Sequence, residues 1–297
     1  MEIVYPAIFG ALKGLCAALA VSFEGAASAL MHFFALDIPD AGTLSALSCA
    51  GIALGLASRY VIRLARGVSG TVRMLLRMAG PGFSYAEEST PEQRDSVMFL
   101  VSAVPALIPL ALYGRWPVTA ADGDMIAEGA CFLICGALLL AAGRSPQGTD
   151  SDGTMRAGHA LIIGLAALAG VFPGISGTAA ALSAAMLLGY DPSYSVRFAL
   201  SASLPAALTV SLTDAGLFAA AEGPLPGTWE TVVCVAAAAA AAYSASWLLQ
   251  LLAKKEKLSV ISYLTMIAGL GIIILGAAET ISGVPAAELI AQLKGKI

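Results

Sequence analysis

The chain has 297 residues, of which 58% are hydrophobic and only 12% charged, and its mean hydropathy is +0.83. A soluble domain carries about 25% charged residues, so composition excludes a soluble globular domain, a disordered chain and a disulfide-stapled secreted module, and leaves a polytopic membrane protein. A net charge of −4 and a pI near 5.2 argue against a nucleic-acid partner, which calls for a basic patch.

Taken in chain order, the apolar runs cover 4–35, 43–58, 97–114, 125–142, 157–189, 198–213, 231–252 and 259–281. No Lys or Arg precedes Lys13, so the N-terminus lacks the charged region of a signal peptide and is read as mature protein. The stretches 78–96, 143–158 and 214–230 hold the prolines, glycines and charges of loops. The alanine run 236–242 suits a close-packing helix face better than a linker. All five cysteines sit in apolar runs without a C-x-x-C motif, and His32 and His159 belong to no metal motif.

Charge sets direction. Arg59, Arg63, Arg66, Arg73, Arg77 and Arg94 follow the second run, Arg144 and Arg156 flank the central linker, and Lys254, Lys255 and Lys257 precede the last run. The loops 115–124 and 214–230 are acidic. The positive-inside rule puts the basic loops in the cytoplasm and the acidic ones outside. Run 125–142 then ends inside and run 198–213 ends outside, so 157–189 must enter and leave on one side. A crossing needs about 20 residues, and this run has room for two legs around Phe172-Pro173-Gly174-Ile175-Ser176-Gly177. The run 4–35 is likewise too long for one upright helix and is interrupted by Val21-Ser22-Phe23-Glu24-Gly25, although a single tilted helix also fits it.

A shift of 154 residues carries Gly10 onto Gly164, Ser22 onto Ser176 and Asp37 onto Asp191. Each half then reads as one broken run followed by three crossings, in opposite directions. The expected fold is all-α: a polytopic membrane protein with six transmembrane helices and two re-entrant helical regions, in a single domain 1–297 with inverted repeat halves 1–145 and 157–285 and the N-terminus outside. Inverted repeats with broken helices are a transporter-like plan whose ligand site lies at the repeat interface. The turns near Ser22 and Ser176 are therefore the expected site, meeting near mid-membrane.

Phe172-Pro173-Gly174-Ile175-Ser176-Gly177-Thr178 resembles the P-G-x-S-R-S-G motif of the bacitracin-resistance family of undecaprenyl-diphosphatases. Arg197-Phe198-Ala199-Leu200-Ser201-Ala202-Ser203-Leu204-Pro205 looks like that family's E-F-S-F-L-L-A-x-P. Lys13-Gly14-Leu15 with Val21-Ser22-Phe23-Glu24-Gly25 looks like its glutamate- and serine-bearing first motif. The resemblance covers nearly the whole chain. It implies a multi-pass protein of the bacterial plasma membrane whose partner is a polyprenyl phosphate or diphosphate lipid, acting in envelope lipid-carrier recycling. A diphosphate calls for cationic or metal countercharge, so a divalent cation is the one cofactor to consider, with no ligand set named.

The chain departs from the family pattern where the chemistry lies. Lys13 and Ala17 replace an acidic or amide residue and a glutamate, Ala20 a proline, Phe23 a serine and Ala26 a histidine. In the second motif Gly177 replaces the arginine, Thr178 a serine and Ala179 a glycine. Ala167 stands where a glutamine is usual and Arg197 where a glutamate is. Glu24 and Lys13 are the candidates to restore the lost carboxylate and the lost cation, because ionised groups in apolar runs are costly. The candidate catalytic residues are Ser22, Glu24 and Ser176; the candidate substrate-binding residues are Lys13, Gly25, Gly174, Gly177 and Thr178. A snorkelling Lys13, a Glu24 at a loop tip, and serines that merely cap broken helices are the plainer alternatives. Three functions stay open: a diphosphatase with a rebuilt site, a non-hydrolytic lipid-phosphate transporter, and a structural paralogue.

Overall fold

Among the described residues helices form where the apolar runs lie, and small residues decide how closely they pack. The computed structural model describes residues 4–34, 43–59, 90–108, 124–146, 148–172, 174–220 and 227–285. Arg63, Arg66, Arg73, Arg77, Asp37, Pro173 and most of the loop 115–124 lie outside the described residues. In chain order the helices are α1 (Val4–Ala18), α2 (Phe23–Phe34), α3 (Thr43–Arg59), α4 (Pro91–Ala103, continued by a 3₁₀ turn Val104–Ala106), α5 (Met125–Arg144), α6 (Ala157–Leu168, continued by a 3₁₀ turn Ala169–Val171), α7 (Gly177–Leu187), α8 (Pro192–Ala220), α9 (Thr228–Lys254) and α10 (Leu258–Ser282). Among the described residues the only β pairing is an isolated bridge between Asp150 and Tyr190, so the fold is all-α. Among the described residues three helices, α5, α9 and α10, are long and apolar enough to cross a bilayer, which makes this a membrane protein with several apolar helices.

The helix ends follow local chemistry. Asp124 caps α5 by accepting from the Ile126 and Ala127 amides at 3.0 and 3.2 Å. Thr90 and Gln93 form a capping box on α4, so that helix begins at Pro91, inside the stretch expected to be loop. Helix α8 runs on to Ala220, past the expected loop start at residue 214. The reason is that 214–220 contains no proline; Pro224 and Pro226 come only later. Gly283 ends α10 at φ +65° and returns its amide to the Glu279 carbonyl at 2.9 Å.

Helix α9 is clasped on two sides. Ideal Cβ atoms at Gly10 and Gly14 of α1 would lie 2.3 and 2.4 Å from the carbonyl oxygens of Cys234 and Ala238. Gly51 and Gly55 of α3 press in the same way on Val235 and Ala239. The alanine run is thus a close-packing face: lipid tails are as apolar as side chains, so backbone approach and dispersion drive helix association. Helices α5 and α10 pack through Gly129 on Gly269 and Gly136 on Ser262. Gly164 of α6 presses on the Ser102 carbonyl of α4. Gly10 and Gly164, equivalent under the 154-residue shift, therefore each seat a short helix against a helix from the opposite half.

One end of the bundle is basic. Arg59 donates to Gln250 at 2.6 Å and Arg144 to the Tyr263 hydroxyl at 2.7 Å, beside Lys254, Lys255 and Lys257. The linker between α5 and α6 is pinned at this end. Asp95 accepts from the Gly153 amide and the Tyr194 hydroxyl, both at 2.9 Å, and Arg197 donates to Asp152 at 2.6 Å. Asp124, Glu230 and Glu279 lie at the opposite helix ends.

Adding a methyl group at Gly10 should destabilise the protein by about 1–3 kcal/mol through overpacking on α9. Gly271→Ala, which meets nothing within 4 Å, should be neutral or slightly stabilising. Thermal unfolding of both variants in detergent checks the pair, and equal stability of the two would contradict the packing account.

Candidate functional site

The two breaks in the long apolar runs are built alike. In the first, α1 ends at Ala18, the chain turns through Leu19–Val21, and Ser22 caps α2, its Oγ accepting from the Gly25 amide at 3.4 Å. In the second, Ser176 caps α7, its Oγ accepting from the Ala179 amide at 3.3 Å. Both serines are buried. Capping is thus what both serines are seen to do, and each keeps its hydroxyl proton to donate. The first turn is not shaped as a proline would make it: Ala20 has φ +63°, whereas proline is held near −65°.

The turns touch. A Cβ at Gly25 would lie 2.6 Å from the Gly174 nitrogen and 2.7 Å from the Phe132 ring. Gly174 has φ +86°, and its own Cβ would lie 2.5 Å from the Glu128 carbonyl oxygen. Only glycine fits at either position. The junction therefore rests on α5 at residues 128–132, and Gly25 and Gly174, expected at the site, are in contact.

Beside the junction sits an ion pair. Lys13 is buried and donates to the Glu24 carboxylate and to the Ser45 hydroxyl; Ser45 donates in turn to Glu24 Oε1 at 3.1 Å. The ammonium also lies 5.7 Å from the Phe23 ring centroid. The pair is lopsided: the Lys13 side chain is 7% exposed, whereas that of Glu24 is 55% exposed. Lys13 does not snorkel to the surface, and Glu24 lies in the first turn of α2, not at a loop tip. Sequence reasoning named both residues but not Ser45, which looks like any serine of an apolar helix.

The second turn is closed where the family motif carries its arginine. A Cβ at Gly177 would lie 2.4 Å from the Ala167 carbonyl oxygen, and one at Gly170 would lie 2.7 Å from the Gly177 nitrogen. Ala167 and Gly177, the positions of the lost glutamine and arginine, thus meet backbone to backbone. Thr178 is buried and donates to Ser203 at 3.2 Å, which ties α7 to α8.

Glu128 is the acidic residue that sequence reasoning missed. It is 2% exposed and accepts from the Ser28 hydroxyl at 2.9 Å, directly under the junction. The signal was present, a carboxylate four residues inside the apolar run 125–142. Among the described residues no group of three or more His, Cys, Asp or Glu stands together to hold a metal ion. The exposed carboxylate at the turn, Glu24, already faces an ammonium. Among the described residues this donor set does not fit a resident divalent cation.

Apolar helices joined through two touching, glycine-built turns, with a buried lysine–glutamate pair beside them, define an integral membrane protein. The chain belongs to the bacitracin resistance protein BacA family, whose model matches residues 6–271. It is 25% identical over 278 residues to an undecaprenyl-diphosphatase of Micrococcus luteus, covering 91% of this chain and 96% of the relative. It is 28% identical over 207 residues to an undecaprenyl-diphosphatase of Korarchaeum cryptofilum, covering 69% and 74%. It is 26% identical over 213 residues to undecaprenyl-diphosphatase 1 of Bacillus licheniformis, covering 70% and 74%.

Ser22→Ala and Ser176→Ala should each lower stability by about 1 kcal/mol, and asparagine at either position should restore most of it, because an amide oxygen also caps. Thermal unfolding measures this. If Ser176→Asn restores stability while activity is still lost, the hydroxyl does more than cap.

Proposed function

We propose that this protein binds a polyprenyl phosphate or diphosphate lipid at the junction of its two turns, in envelope lipid-carrier recycling at the bacterial plasma membrane, with hydrolysis weak relative to an ordinary family member. The observation that carries this reading is the buried Lys13, held by Glu24 and Ser45 beside Gly25 and Gly174. A phosphate oxyanion is a stronger partner for an ammonium than one carboxylate is. On arrival it displaces Glu24, whose exposed side chain has room to swing aside, and takes Lys13. The displaced carboxylate can then accept a proton from water or from Ser22 as phosphorus is attacked. Gly177 offers only backbone in place of a guanidinium. Losing one stabilising donor costs about 3 kcal/mol, or a hundredfold or more in rate.

The same closure supports a second reading. With Ala167 and Gly177 in backbone contact, the protein keeps a site for the phosphate without the means to cleave it, as a non-hydrolytic lipid-phosphate transporter would. An arginine at Gly177 does not discriminate between the two, because its Cβ would strike the Ala167 carbonyl.

The proposed topology is six crossings by α3, α4, α5, α8, α9 and α10, with α1–α2 and α6–α7 as re-entrant pairs, halves 1–145 and 157–285 inverted, and the N-terminus outside. The basic end formed by Arg59, Arg144 and Lys254–Lys257 supports it through the positive-inside rule. Cysteine placed at Glu230 should label from outside, and cysteine at Lys255 only after permeabilisation. Labelling at Lys255 in intact cells would overturn the orientation.

The deciding assay is phosphate release from C55 diphosphate by purified protein, with and without divalent ions, alongside binding of the lipid monophosphate. Lys13→Met should weaken binding about tenfold or more, since it removes a charge-assisted contact. Glu24→Gln should bind at least as tightly but lose residual hydrolysis. Binding unchanged by Lys13→Met would remove the proposed site, and binding without turnover in the unaltered protein would select the transport reading.

A further inference from the structure

The ion pair at the first turn has two ends of opposite character. Lys13 of α1 is enclosed, with the Phe23 ring centroid 5.7 Å from its ammonium. Glu24 of α2 stands open, its side chain more than half exposed. Ser45 of α3 bridges them: its hydroxyl accepts from Lys13 and donates to Glu24 Oε1 at 3.1 Å. The three groups come from three helices. When the pair opens, the carboxylate of α2 parts from a cation and a hydroxyl that α1 and α3 keep in place. At the second turn Gly177 packs on the Ala167 backbone and offers no side chain. The other described lysines and arginines lie toward the basic end of the bundle, near helix ends and the α5–α6 linker.

Resting on the reading that a lipid phosphate binds at this junction, we propose that its headgroup is zwitterionic: a lipid phosphate that also carries an amine a few bonds from phosphorus, with the phosphate on Lys13 and Ser45 and the ammonium on Glu24. A phosphate without an amine takes Lys13 and leaves the Glu24 carboxylate facing it, so one ion pair is exchanged for another and a like-charge contact is added. A diphosphate brings still more negative charge against the same ammonium, in a part of the chain where uncompensated charge is costly. A headgroup with its own ammonium reverses this. Two ion pairs then replace one, the four charges alternate in sign, and no net charge enters the apolar run. A short spacer suits the geometry, because the groups that receive the two ends are in contact before binding. Glu24 then moves aside only by the width of the headgroup, and Ser45 turns its hydroxyl from Glu24 to a phosphate oxygen.

The test is binding of three C55 lipids to the purified full chain in a non-ionic detergent: the monophosphate, its 2-aminoethyl diester, and the N-acetylated form of that diester, which keeps the length and loses the positive charge. The aminoethyl diester should bind about tenfold or more tightly than its N-acetylated form, the difference of one charge-assisted contact. Glu24→Gln should abolish that preference while leaving the N-acetylated lipid bound as before, and Lys13→Met should weaken both diesters. A purely structural tie between Lys13 and Glu24 would leave the ratio of the two diesters unmoved by Glu24→Gln. Equal binding of the two diesters by the unaltered protein, tighter binding of the monophosphate than of the aminoethyl diester, or a preference that survives in folded Glu24→Gln overturns the proposal and leaves the junction as a phosphate site. Binding of none of the three overturns that site and the proposal together. Should Glu24→Gln fail to fold, the comparison of the two diesters in the unaltered protein decides alone.

Discussion

The contact between the two turns governs the rest of the molecule. Gly25, Gly174 and the Glu128 carbonyl meet at distances that no side chain tolerates. Two chain reversals buried among apolar helices carry amides that hydrogen-bond neither to water nor along a continuous helix, and each must be satisfied locally. Ser22 and Ser176 do this for α2 and α7, and glycine lets the reversals press together over α5. The clasp of α1 on α9 and of α6 on α4 then holds the incoming leg of each reversal in place. Removing side chains at the junction leaves a centre lined by backbone and ringed by a few polar groups.

The charge at that centre is organised by unequal burial. Lys13 is enclosed and Glu24 is open, so the cation is fixed while its counter-ion can leave. Burying an ion pair does little for stability, since desolvation offsets much of the attraction. A pair that is half open serves exchange of partners better than it serves folding. Elsewhere in the bundle, Gly177 lies backbone to backbone against Ala167.

One face of α2 carries Glu24, Ser28 and His32, four residues apart. Their spacing is set by the helix itself, but their partners, Lys13, Ser45, Glu128 and Glu279, come from four different helices. That division is common in membrane proteins, where one helix carries the functional groups and its neighbours supply their counterparts.

Hydrophobic run length determined most of the fold by itself. The runs 4–35 and 157–189 were too long for one upright helix each, and each is interrupted near a serine, Ser22 and Ser176; the helices found at 4–18 and 23–34, and at 157–168 and 177–187, lie on either side of those serines. The capping role of Ser22 and Ser176 and the close packing of Gly10 and Gly164 were legible because caps and close contacts demand particular residue types locally. The end of α8 at Ala220 was not, because glycine and aspartate alone do not stop a helix when proline is still several residues away. What lay wholly beyond the sequence was which helices become neighbours. Lys13 and Ser45 are 32 residues apart, and Ser28 and Glu128 are 100 apart. Periodicity states which face of a helix is polar and nothing about what that face will meet. The ion pair, the closed contact at Gly177 and the carboxylate beneath the turns were decided only when close-packed glycine and alanine faces fixed the distances between helices.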